Sequence, residues 1–115
     1  MSCSRHMPRM HDLLITALEQ EGLQARLTWR GPHINGVEVL TDDDSRMYIT
    51  NPAGADLTYL VNEHTGLLIN RYPHHDLSRW RHVHETACND AFQDIQAAIP
   101  MIKAEVHRPL TDLDT

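Results

Sequence analysis

The 115 residues include two cysteines, one phenylalanine and a single lysine, and no apolar run approaches a membrane span. Each shortage excludes something. A spanning helix needs about 20 consecutive apolar residues, whereas the longest runs here, such as Leu67-Leu68-Ile69, are a few residues long. Cys3 falls in a loose terminal arm and Cys88 in a helical pattern, which suggests two free thiols and no disulfide framework. The opening MSCSRHMPRM is basic but lacks the apolar stretch of a secretory signal, so a cytoplasmic protein is expected.

The formal charge of −6 and the near absence of lysine oppose direct nucleic-acid binding, because phosphate affinity comes largely from clustered Lys and Arg. The arginines are scattered. Only Arg79 and Arg81 approach a patch, and they are candidate contacts for a carboxylate or phosphate. Phosphate-cradling Gly-x-x-x-x-Gly-Lys and Gly-x-Gly-x-x-Gly loops are missing, as is the Gly-x-Ser-x-Gly elbow. The sequence therefore leans away from an enzyme and implies no cofactor.

What is present is an α+β pattern. Met10, Leu13, Leu14, Ala17 and Leu18 share one stripe of a helix beginning at Pro8, and Gly22 ends it. The period then changes to two. Strands are expected at Gln24 to Arg30, Val37 to Thr41, Arg46 to Thr50, Leu57 to Asn62 and Leu67 to Tyr72, separated by turn residues such as Asn35-Gly36 and Asp42-Asp43-Asp44-Ser45. Connections this short suit an antiparallel meander. Trp80, Val83, Ala87, Ala91, Ile95, Ile99 and Ile102 recur at helical spacing, so a long second helix is expected, kinked or broken near Pro100. The expectation is one domain with a loose arm at 1–7, a globular α-β5-α body at 8–107 and a loose acidic tail at 108–115, its helices and sheet in two layers.

The segment YPHHDLSRWRHVHE at 72–85 raises the question of a metal. His74 and His75 follow Pro73 in a connection where solvated histidines are ordinary; they are candidate ligand contacts because imidazole charge changes near neutrality. On a helix His82 and His84 point apart, whereas His84 and Cys88 at i and i+4 share a face and could give two zinc ligands, with His74, His75, Asp76 or His33 completing the set. The spacings of established zinc motifs are missing, so a structural His84 and a packed Cys88 are the simpler expectation. The aspartate run at 42–44 lacks the ligand pattern of a calcium loop and could at most imitate a line of phosphates. Trp29 and Trp80 sit on apolar phases and are expected in the core, exposure being what a stacking platform would need.

These readings favour a small acidic protein-binding module, an inhibitor, immunity-type partner or accessory regulator, without catalysis. A metal- or small-ligand-binding domain built on 74–88 is the alternative, and a nucleic-acid mimic using the acidic hairpin the third. Because Tyr48, Leu60 and Leu68 lie out of phase with Met47, Ile49, Tyr59, Val61, Leu67 and Ile69, one apolar set is expected to face outward. That makes Tyr48 and Leu60 candidate contacts, with a homodimer as the simplest partnership.

Overall fold

In the computed structural model the described residues are 8–32, 34–54, 56–73 and 79–109. Helix α1 (Met10–Gln20) leads into β1 (Ala25–Gly31), β2 (Ile34–Leu40), β3 (Arg46–Thr50), a 3-10 turn at Val61–Glu63, β4 (Leu68–Tyr72), β5 (Arg81–Glu85) and α2 (Ala91–Val106). The five strands form one antiparallel sheet in chain order, and both helices pack on one of its faces. The α+β architecture expected from the sequence is the one observed.

Register explains which side chains meet the helices. Leu27, Val37, Ile49, Ile69 and His84 stand in one cross-strand row, and Ala25, Val39, Met47, Arg71 and Arg81 in the next row on that face. The helices contribute Met10, Leu14, Leu18, Ile95, Ala98 and Ile102, and these join Val37, Val39, Met47, Ile49, Leu67 and Ile69 in a single apolar core. The opposite face carries the row Arg26, Glu38, Tyr48, Asn70 and His82. That face mixes polar and apolar side chains, with Leu40 and Tyr72 beside Arg46 and Leu68 beside Thr50, so of the outward set expected from the sequence Tyr48 and Leu68 are there and Leu60 is not. Tyr48 is covered by its own neighbours: the Arg30 guanidinium lies 4.2 Å from the ring centroid, and the ring packs over Gly36, where a Cβ would meet it at 2.8 Å.

Two element assignments are corrected by the structure. Residues 57–62 do not form a strand of the sheet. Arg9 has no side-chain cap to offer α1, and two of that helix's first N–H groups are instead taken by this segment, Met10 N–H by the Tyr59 carbonyl and His11 N–H by the Leu57 carbonyl, both at 2.8 Å. Leu57 and Val61 pack inward, so the period of two reflects burial and capping without a ladder. Leu60 accordingly lies outside the sheet, bridged to Arg9. The second correction concerns the apparent helix start near Trp80: residues 81–85 are β5, and α2 begins only at Ala91, where the Asp90 carboxylate accepts from Phe92 N and Gln93 N. From there the helix runs unbroken through Pro100, which is exposed.

The end of α1 follows expectation. Gly22, at φ +81°, donates to Glu19, and Leu23 donates to Leu18, the paired bonds of a Schellman ending that brings Leu23 back onto the core. At the other end of the sheet Arg71 is fully buried and closes the structure. It donates to Ser45 Oγ, to Asp43 Oδ1 and to both the carbonyl and the carboxylate of Glu105, tying the β2–β3 turn and β4 to the last turn of α2.

Candidate functional site

A second buried polar group lies where β4, β5 and the first turn of α2 converge, and its hydrogen bonds run in one direction. The Ala53 N–H donates to Asn51 Oδ1 at 2.7 Å, which fixes the Asn51 amide so that its Nδ2 is the donor toward Tyr59 Oη at 3.2 Å. With that lone pair occupied, Tyr59 gives its own proton to His64 Nδ1 at 2.7 Å. His64 then carries its proton on Nε2 and donates to Asp94 Oδ2 at 2.5 Å. Thr86 accepts from the Leu67 N–H and passes its hydroxyl proton to the same carboxylate oxygen at 2.9 Å.

Every bond in this relay ends on Asp94. The side chains of His64 and Asp94 are sealed from solvent, and Asp94 Oδ1 has no hydrogen-bond partner. Asp94 lies in the first turn of α2. The order hydroxyl, imidazole, carboxylate is that of a nucleophile with its base. Burial pushes the Tyr59 hydroxyl above its ordinary pKa of 10.0, opposed by the Asn51 hydrogen bond and reinforced by the charges of Asp94 and Asp56. The relay ties the segment at 51–64 to β5 and the first turn of α2.

Asp94 also lines a surface groove of about 710 Å³ between the end of β5 and α2. His84 enters it from β5, with a buried Nε2 that likewise has no partner, and Thr86, Cys88, Phe92 and Ala97 complete much of its wall. Phe92, the chain's one phenylalanine, stands 60% exposed on the rim and borders two further depressions, one between the helices beside Leu13 and Ala17 and one beside Val61 and Asn62.

The sequence candidates are dispersed. His84 and Cys88 do share a site, this groove, but by strand and loop geometry and not as i and i+4 of a helix. A bulge at Val83 pairs His84 with Ile69 and His82 with Asn70, which puts the two histidines on opposite faces even within a strand. Cys88 is a free thiol touching the Asp90 carbonyl at 3.5 Å. No group of three His, Cys, Asp or Glu able to hold a metal occurs among the described residues. His74 and His75 lie outside the described residues, as do His33, Asp76, Cys3 and the tail from 110. Arg81 reaches Glu105 at 3.4 Å and Arg79 is exposed. Tyr48 belongs to the polar sheet face and Leu60 to the capping segment, so neither contributes to the groove.

Both tryptophans are exposed, a correction to their expected place in the core: Trp29 ends the inner face of edge strand β1, and Trp80 precedes edge strand β5. The acidic hairpin is not a free line of charge. Asp43 turns in to Arg71, Asp42 meets His107 at 2.7 Å and Asp44 meets Arg46 at 3.7 Å. No helix among the described residues is long and apolar enough to cross a membrane. The chain matches no protein-family model, no curated protein and no solved structure.

Proposed function

We propose that the chain is a non-catalytic protein-binding module whose contact surface is centred on Phe92. One observation carries this reading. Among the described residues five large apolar side chains, Trp29, Ile34, Trp80, Phe92 and Met101, stand exposed, and of these Phe92 borders three depressions. Aromatic side chains beside pockets are the usual anchors of protein interfaces. Phe92 costs apolar exposure and gives the fold little packing in return, which is understandable if a partner covers it.

The inhibitor, immunity-type or regulatory role stays within this proposal, as does a cytoplasmic setting. Self-association through the outer sheet face, where Leu40, Leu68 and Tyr72 stand among charged and polar residues and Tyr48 is covered by Arg30, is the second reading. A nucleic-acid mimic is disfavoured by the internal pairing of the hairpin aspartates.

The test is recovery of tagged chain from its own cells under native conditions, compared with Phe92→Glu. A stoichiometric protein retained by the wild type and lost by the variant supports the module. Recovery of the same proteins by both puts the contact elsewhere and contradicts the reading.

A further inference from the structure

The groove that Phe92 borders has an edge strand for one wall. β5 ends the sheet, and among the described residues no strand lies beyond it. The Thr86 N–H donates to the Leu67 carbonyl at 2.9 Å, which turns the N–H and C=O of the preceding residue, Glu85, away from β4. Backbone groups left free along an edge are a template for another strand. The bulge at Val83 distorts the first part of β5 and leaves His84 to Thr86 as its regular part. His84 and Thr86 face a trough whose far wall is the exposed Phe92, Gln93, Gln96 and Ala97 of α2. The unpartnered polar atoms near its floor, His84 Nε2 and Asp94 Oδ1, are sealed from solvent, so an incoming group meets the Phe92 ring and the Ala97 methyl in place of a charge. On the outer face Glu85 is exposed and has no ion-pair partner among the described residues. The other edge strand differs. The hollow beside β1 is lined by Glu19, Arg26, Glu38 and Arg46, and Arg26 is already paired with Glu38 at 2.7 Å.

We infer that the partner enters as an extended segment that pairs antiparallel with the free edge of β5 and lays apolar side chains in the trough beside α2. This rests on the protein-binding reading and names how the partner is held. Strand alternation sets the class of sequence. The residue opposite Glu85 shares its outer face, and a cation there completes a cross-strand charge pair. Its two neighbours point inward beside His84 and Thr86, where apolar side chains reach Phe92 and Ala97. The segment therefore reads apolar, basic, apolar over three residues. Main-chain bonds supply affinity in such an addition, and the pockets for alternate side chains supply selection. A partner helix suits the site less well, because its backbone is bonded internally and leaves the Glu85 N–H and C=O to water.

The experiment is a nuclear magnetic resonance titration of the whole chain with the peptide Ac-Thr-Leu-Lys-Leu-Thr-NH2, reading amide shifts and the hydrogen-exchange rate of the Glu85 amide. Three further probes accompany it: the peptide N-methylated on the lysine backbone nitrogen, the peptide with both leucines replaced by aspartate, and the peptide with glutamate for lysine. Saturable shifts at Glu85, Thr86, Phe92 and Ala97 are expected, with slower exchange at Glu85, and both should be lost on N-methylation and on replacement of the leucines. Glu85→Lys, at an exposed position, should invert the preference between the lysine and glutamate peptides by about two-fold or more. Ala97→Phe, also exposed, should fill the trough and weaken binding at least about five-fold, as loss of an interface anchor does. Equal binding of the N-methylated peptide, or binding without slower exchange at Glu85, overturns strand addition. Shifts at Ala25 and Leu27 in place of Glu85 overturn the choice of edge, and no saturable shift with the lysine peptide overturns the site. A partner lost by Phe92→Glu would still be recovered by the wild type in each of those cases, so failure of this inference and failure of the binding module are told apart.

Discussion

The imidazole of His64 and the carboxylate of Asp94 meet at 2.5 Å inside the protein, joining the turn after the 3-10 segment to the first turn of α2 thirty residues later. This contact fixes where α2 starts its run across the sheet, and therefore where Phe92 is displayed. Fold and proposed binding surface meet at that bond.

Removing one member should be costly. His64→Ala leaves Asp94 and Tyr59 without their shared partner and opens a cavity, and a loss of about 3 kcal/mol or more is expected. Asp94→Asn keeps an acceptor for His64 and Thr86 and should cost less, about 1–2 kcal/mol. Chemical denaturation checks both. A loss below about 0.5 kcal/mol for His64→Ala would show that the relay carries no structural weight.

Alkaline pH should destabilise the protein through two tyrosines. Burial raises the Tyr48 and Tyr59 hydroxyls above 10.0, with Arg30 opposing the shift at Tyr48 and Asn51 at Tyr59. Above pH 10 the unfolded chain loses these protons while the folded chain keeps them, so the stability they contribute is full below pH 10 and falls as pH rises toward the folded values. Tyr48→Phe should be neutral or slightly stabilising at pH 7, since its hydroxyl has no partner, and should reduce the alkaline loss. Stability that rises between pH 10 and 11 would contradict the assignment.

Core and surface apolar residues on α2 should part company. Ile95 is buried at 3% exposure and its truncation to alanine should cost about 2–5 kcal/mol, whereas Phe92→Ala should change stability by less than about 1 kcal/mol. Urea unfolding of the two variants decides it. Comparable losses would make Phe92 a structural residue.

Periodicity exposed the architecture well where one side of an element is buried. The α1 stripe, the Gly22 ending and strand β3, bounded as expected, are readable, whereas β2 starts at Ile34 and takes in Asn35 and Gly36, the pair that reads as a turn in the sequence. It misled at 57–62, where alternating apolar residues serve capping, and at 80–90, where Trp80, Val83 and Ala87 mimic a helical stripe over what is an edge strand and a loop. The Asn89-Asp90 pair was a legible start signal for α2. The relay had no such signal: residues 51, 59, 64, 86 and 94 have no fixed spacing, and His64 sits in a stretch whose composition reads as a plain turn. Arg71 was equally hidden, since nothing local distinguishes a surface arginine from one that Ser45, Asp43 and Glu105 draw inside.

The central claim is that the surface around Phe92 exists for a partner protein. Its most direct test is photo-crosslinking in the native cell, with benzoylphenylalanine in place of Phe92 and, separately, in place of Thr28 on the polar sheet face. A discrete adduct of the chain with a different protein is expected from position 92 and none from position 28. Absence of any adduct from position 92, or adducts of equal yield from both positions, would contradict it.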